Sequence, residues 1–182
     1  MLRYIYIFIL IILTSSANSD NKENIINNLK KIKNINFEFE QNINQKIEKG
    51  NCIVKYPKKI FCEYTGSNNK ILVSNGSSLV IKTRVSYYRY PIEKTPLNFI
   101  LDKNFLIDRI DNLEERIIDK SFINYTIKEN DNEINIFFDN ETFNLIGWQT
   151  KDMYQNLNIT FLSSIKTNEI INDKLFRLPL NN

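Results

Sequence analysis

The period of apolar positions changes several times along the chain, and each change marks an element. Residues 4–13 form an unbroken apolar run behind Arg3, closed by Thr14-Ser15-Ser16-Ala17. Over residues 20–33 the spacing becomes helical. Ile25, Ile26, Leu29 and Ile32 fall on one face, Asn and Lys occupy the other, and Asp20 or Asn21 stands near the cap. The period then drops to two. Ile35, Phe37 and Phe39 alternate with Asn36, Glu38 and Glu40, which predicts a half-buried strand. Residues 50–64 read as two strands around a turn at Pro57 to Lys59, and residues 70–74 and 78–83 flank the hairpin signal Asn75-Gly76.

Tyr87-Tyr88-Arg89-Tyr90-Pro91 reads as an aromatic connection into Thr95-Pro96-Leu97-Asn98-Phe99-Ile100-Leu101. Thr95 as N-cap and Pro96 at the first helical position announce a short apolar helix there. Beyond residue 122 the two-residue period returns. Residues 123–129, 133–139, 145–153 and 156–166 predict an antiparallel meander, with Leu157, Ile159 and Phe161 its clearest alternating set. The architecture expected is mainly β (α+β): an unclosed, strongly curved antiparallel sheet with two or three short helices on its concave face. No Pro/Gly/Ser-rich linker and no internal repeat interrupts the chain, so residues 18–182 are read as one domain. Such a sheet and its helices either pack solid or enclose a lumen, and both leave the same periodicities.

The first 17 residues have the pattern of a secretory signal peptide: a positive start, an apolar stretch and a small-residue exit. Cleavage is expected before Asn18, with cleavage after Ser19 as the rival. The apolar run is shorter than the roughly 20 residues a membrane-spanning helix needs. Export makes Cys52 and Cys62 informative. A three-residue turn would put them on one face with Val54, Ile60 and Tyr64. Direct opposition would allow a disulfide, whereas a slipped register would leave two buried thiols.

Composition narrows the chemistry. The 182 residues contain no histidine, which removes imidazole acid–base catalysis, Ser-His and Cys-His pairs and imidazole-dependent zinc sites. Four scattered glycines offer no phosphate-cradling loop. With 24 basic and 21 acidic residues and no long like-charge run, no nucleic-acid partner is expected. The carboxylate pairs Glu38/Glu40 and Asp108/Asp111 read as solvated faces, Asp139-Asn140-Glu141 as a tight turn, and Tyr87, Tyr88 and Tyr90 as edge packing around a loop. No enzyme activity, cofactor or metal is expected, and a monomer is.

In order along the chain, several segments resemble the LolA family of periplasmic outer-membrane lipoprotein carriers. They are the leader, the helix and strand with Phe37-Glu38-Phe39-Glu40-Gln41, Gly50 with the Pro57 hairpin and Glu63-Tyr64, and the strand and turn Ile71-Leu72-Val73-Ser74-Asn75-Gly76. The Thr95-Pro96-Leu97 segment follows, similar to the lid helix of the alphaproteobacterial branch, and Leu175-Phe176-Arg177-Leu178-Pro179 closes the match. The resemblance implies a non-catalytic protein of the Gram-negative periplasm. An unclosed barrel under a helical lid would hold lipoprotein acyl chains, received from an inner-membrane ABC exporter and delivered to a LolB-type outer-membrane acceptor.

Carried over by position, the lumen and lid would comprise Ile25, Ile26, Leu29, Ile32, Phe37, Phe39, Ile60, Ile71, Leu72, Val73, Leu97, Ile100 and Leu101. Many family members place an arginine before the hairpin proline as a latch on the lid. Here the residue is Tyr56, which lacks the five-donor fork of guanidinium, so a looser closed state is expected. A LolB-like acceptor or a module with a filled core is the alternative reading.

Overall fold

Two antiparallel meanders, joined through their first and last strands, make one eleven-stranded sheet. The computed structural model describes residues 17–66, 68–151 and 155–181; the expected signal peptide at residues 1–17 lies outside them apart from Ala17. The first meander comprises β1 (Asn34–Ile43), β2 (Lys46–Lys55), β3 (Lys59–Tyr64), β4 (Ile71–Asn75), β5 (Ser78–Lys82) and β6 (Tyr87–Pro91). The second comprises β7 (Arg116–Ile118), β8 (Phe122–Glu129), β9 (Asn132–Asp139), β10 (Leu145–Lys151) and β11 (Leu157–Thr167). The spatial order runs β6-β5-β4-β3-β2-β1-β11-β10-β9-β8-β7. Consecutive strands β6 and β7 therefore sit at opposite edges, and the barrel stays open.

Helices occupy the connection between those edges and the start of the chain. They are α1 (Ala17–Lys31), α2 (Leu97–Ile100) and α3 (Lys103–Asp111). In α1, Ile25, Ile26, Leu29 and Ile32 are all buried in the main core, as the helical spacing requires. Helix α3 interrupts a stretch in which no element was expected. Its signals are the buried pair Leu106 and Ile110, one turn apart, and Asp102, whose carboxylate accepts from the Phe105 amide at 3.2 Å.

Three local expectations are corrected. Residues 87–91 form an edge strand paired with β5 instead of a connection, because Tyr87, Arg89 and Pro91 face Lys82, Val80 and Ser78 in register. Thr95 does not cap α2 with its side chain. Its hydroxyl donates back to the Ile92 carbonyl at 2.8 Å, closing the short 3-10 turn Ile92–Lys94, while its own carbonyl accepts from Asn98. In β11 the alternation is real but the face is reversed. Phe161 and Leu157 are 48% and 44% exposed, whereas Thr160 and Leu162 are buried. Outward Phe161 stacks on Phe137 at 6.0 Å, and the two rings close over Gly147, whose missing Cβ would lie 3.3 and 3.4 Å from them.

The outward face of the first meander is covered by the end of the chain. The turn Asp173–Phe176 packs over β3 and β4, and Phe176, Val73 and Val80 are buried apart from the main core. Lys55 and Asp173 pair at 2.6 Å beside it.

Cys52 faces Cys62 across β2 and β3, with their Cα atoms 4.1 Å apart, and the two are bridged. Of the two pairings left open by the sequence, direct opposition is the one adopted. Loops closed over this separation gain about 2–3 kcal/mol from the cross-link. Replacing both cysteines with serine should cost about that much in urea denaturation. Non-reducing mass spectrometry of the exported protein should find no thiol that alkylates before reduction.

Candidate functional site

Strand alternation sends one set of side chains to the concave face, and register arranges them in rows. Phe37, Cys52, Cys62, Leu72 and Ile81 stand side by side on β1 to β5. The next row is Leu162, Phe39, Gly50 and Tyr64. A Cβ at Gly50 would lie 2.0 Å from the Glu63 carbonyl oxygen and 2.8 Å from the Phe39 ring. Its absence lets Phe39 and Tyr64 meet edge to face at 4.9 Å.

Toward the β1–β2 turn the rows turn polar: Trp148, Thr160, Gln41 and Glu48, then Thr150, Asn158, Ile43 and Lys46. All of the residues in these rows but Leu162, Gly50, Glu48 and Lys46, together with the lid residues Thr95, Pro96, Leu97 and Ile100, line one cavity of about 230 Å³. Its wall is mostly apolar, with the disulfide exposed on it. The volume falls below the roughly 300–1,000 Å³ of pockets that enclose a whole small-molecule ligand.

The thirteen positions carried over from the resemblance divide into three groups. Phe37, Phe39, Ile60, Leu72, Leu97 and Ile100 line the cavity. Ile25, Ile26, Leu29, Ile32 and Leu101 are buried in the core that fills the rest of the concave face. Ile71 and Val73 do neither. They alternate with Leu72, so when Leu72 points inward they face outward, opposite Lys82 and Val80, and Val73 joins the cluster beneath the C-terminal turn. Trp148, Leu79, Ile81 and the disulfide complete the wall. Their inward alternation was the signal for them, but it could not say which of the two faces was concave.

The lid is tied to the hairpin, but not through Tyr56. Tyr56 is half-buried against the core, and burial pushes its hydroxyl pKa up from the ordinary value. No hydrogen bond from that hydroxyl is present among the described residues. Two residues on, the Lys58 amide donates to the Leu101 carbonyl at 2.8 Å, and its ammonium lies 3.4 Å from the Asp102 carboxylate. Ser74, fully buried, holds this turn by donating to the Lys58 carbonyl at 2.8 Å. Asp102 also caps α3, and neighbouring Lys103 donates to the Ile32 carbonyl at 2.8 Å at the end of α1. A single polar chain thus links hairpin, lid and both longer helices.

At the polar end, Glu48 is buried and accepts from Lys70 at 2.5 Å and Lys46 at 3.0 Å. Lys70 also lies 4.0 Å from the centre of the Tyr64 ring. Burial alone would raise the Glu48 pKa, but hydrogen bonds and charge from the two lysines outweigh it and hold the carboxyl below its ordinary 4.5. The remaining candidates are surface features. Asp139 accepts from the Glu141 and Thr142 amides and the Thr142 hydroxyl, which makes it the anchor of a turn, as expected. Glu40 points outward and pairs with Lys49 at 2.7 Å, and outward Glu38 accepts from Ser164.

A model of the family described as outer membrane lipoprotein carrier protein LolA matches residues 30–179. The chain belongs to the LolA family. LolA-family proteins are periplasmic lipoprotein carriers, and among the described residues no helix is long and apolar enough to cross a membrane. No curated protein matches the chain by sequence. Among solved structures it is similar to a LolA superfamily protein from Nitrosomonas europaea, at 8% identity over 86% of this chain and 97% of that one, with a TM-score of 0.44. It is also similar to lipoprotein LppX from Mycobacterium tuberculosis, at 12% identity over 87% and 99%, TM-score 0.46. The MucA/MucB complex of Pseudomonas aeruginosa aligns at 9% identity over 90% of this chain and 62% of that one, TM-score 0.50. At such identities the likeness is one of fold.

The depressed pKa of Glu48 sets an acid limit for this LolA-family chain. A carboxylate with a lowered folded-state value stabilises the fold above its ordinary 4.5, and that contribution is lost as pH falls through the lowered value. Stability measured by urea denaturation should therefore begin to fall below that ordinary value. Glu48→Gln should be about 1–3 kcal/mol less stable near neutral pH, with a shallower acid slope.

Proposed function

We propose that this chain carries the acyl chains of lipoproteins across the periplasm, taking them from an inner-membrane ABC exporter and delivering them to a LolB-type outer-membrane acceptor. The observation that supports this most is the cavity between the inward rows of the sheet and α2, lined by Phe37, Phe39, Leu97, Ile100 and the disulfide. Family membership supplies the class of cargo.

A carrier has to bind without trapping. Burying a sixteen-carbon chain is worth roughly 13 kcal/mol at ~0.8 kcal/mol per methylene, and enclosing several would approach the limit of non-covalent affinity. Here Ile25, Leu29, Ile100 and Leu101 are almost wholly buried in the core on the concave face. Admitting a full-length chain displaces α2 and exposes part of that surface, so the net affinity is the difference between two burials. The Lys58–Leu101 hydrogen bond and the Lys58–Asp102 pair are the polar contacts that such an opening breaks. Neither is large: a neutral hydrogen bond contributes about 1 kcal/mol net, and a part-exposed ion pair about 0–1 kcal/mol.

A fluorescent fatty acid should bind the purified exported protein. Leu97→Glu and Ile100→Glu, with circular dichroism unchanged, should each weaken that binding at least about tenfold, since a charge enters an apolar wall. Undiminished binding in both variants would remove the lid from the account. Copurification of lipoproteins from a periplasmic extract tests the cargo itself.

A further inference from the structure

One wall of the cavity is polar, and most of its groups are already satisfied. Gln41 donates to the Thr160 hydroxyl at 3.2 Å and accepts from Tyr64 at 3.5 Å. Lys70 is held by Glu48 and the Tyr64 ring. Asn158 is different. It lies inward on β11 between Ile43 and Thr150, lines the cavity, and its side-chain oxygen is buried with no hydrogen-bond partner among the described residues. Thr150, directly opposite on β10, is itself buried and adds a hydroxyl to the same patch. A buried acceptor without a donor is costly, so a ligand that brings an N–H to it gains that hydrogen bond.

The position of the patch matches an amphiphile's head. It belongs to the row nearest the β1–β2 turn, one row beyond Trp148 and Thr160, while the apolar rows and the lid lie at the other end. We propose that Asn158, with Thr150 beside it, is the subsite for the amide-bearing head of an acylated peptide. The N–H at the acylated residue donates to Asn158 Oδ1, and the acyl tail lies along Phe39 and Phe37 toward Ile100. This rests on the carrier reading and adds to it a second recognition element that reads the linkage as well as the tail.

Charge points the same way. Glu48 already occupies the nearby Lys70, so what the patch leaves uncommitted is an uncharged carboxamide, with its oxygen the buried part, and a hydroxyl. A carboxylate head would set its own oxygens against Asn158 Oδ1. Lys151 stands at the mouth of the cavity and is exposed, where its charge is screened by solvent.

The test is displacement of a fluorescent fatty acid by two probes of equal tail length, an N-palmitoyl Ser-Ser dipeptide amide and palmitic acid. The unaltered protein should bind the acyl-peptide more tightly. Asn158→Leu should weaken the acyl-peptide about tenfold and change palmitic acid by less than about twofold. Thr150→Val should show the same selectivity with a smaller loss of about threefold, and stands in if the leucine variant does not fold. Equal losses for both probes, or no loss for either, would overturn the subsite while leaving the lumen intact. Failure of the fluorescent fatty acid to bind the unaltered protein would overturn the carrier reading and the subsite with it.

Discussion

The pairing of β1 with β11 is the contact on which the rest of the molecule depends. It fuses two meanders into one continuous sheet and leaves β6 and β7 as the free edges. A sheet curved this far without closing presents a broad apolar concave face that no strand can cover, so helices must. Helices are the right cover for something that opens. A closing strand would be locked by a ladder of backbone hydrogen bonds, whereas α2 reaches the hairpin through one backbone bond at Leu101 and the side chains around it. Bulges in the β1–β11 and β9–β10 registers supply local bending where the sheet turns.

Core and lumen wall adjoin on the concave face, and Ile100 belongs to both. In a rigid protein, Ile25, Leu29, Ile100 and Leu101 would count simply as stabilising burial. In a carrier they are also the competitor that each arriving acyl chain must replace. Stability of the empty form and affinity for cargo are therefore coupled with opposite signs: a better-packed lid makes a sturdier protein and a weaker binder. The polar chain from Ser74 through Lys58 and Asp102 to α3 tunes that balance without adding greasy surface.

Much of this was legible in the residues. Period-two alternation marks most strands, helical spacing marks the buried face of α1, and the even numbering of Cys52, Val54, Ile60 and Cys62 puts them on one face. What alternation cannot tell is which face is inside when both carry apolar residues. Leu157, Ile159 and Phe161 look like a core set, yet the sheet turns Asn158, Thr160 and Leu162 inward, because the end of the cavity nearest the β1–β2 turn is polar. Ile71 and Val73 failed for a simpler reason: three consecutive strand residues cannot share a face. Tyr56 lacks the fork of an arginine, but the tie to the lid is made by the Lys58 backbone amide, which side-chain identity does not reveal. Helix α3 was hidden because it is short and its two buried residues offer little periodicity.

The bridge between Cys52 and Cys62 forms part of the surface that cargo would touch, and it ties β2 to β3 immediately behind the turn that holds the lid. Thiols in a reducing cytosol stay unbridged, whereas oxidising compartments beyond the inner membrane close them. In a reducing compartment this clasp would stay open, so the binding wall takes its final shape only where the bridge can form.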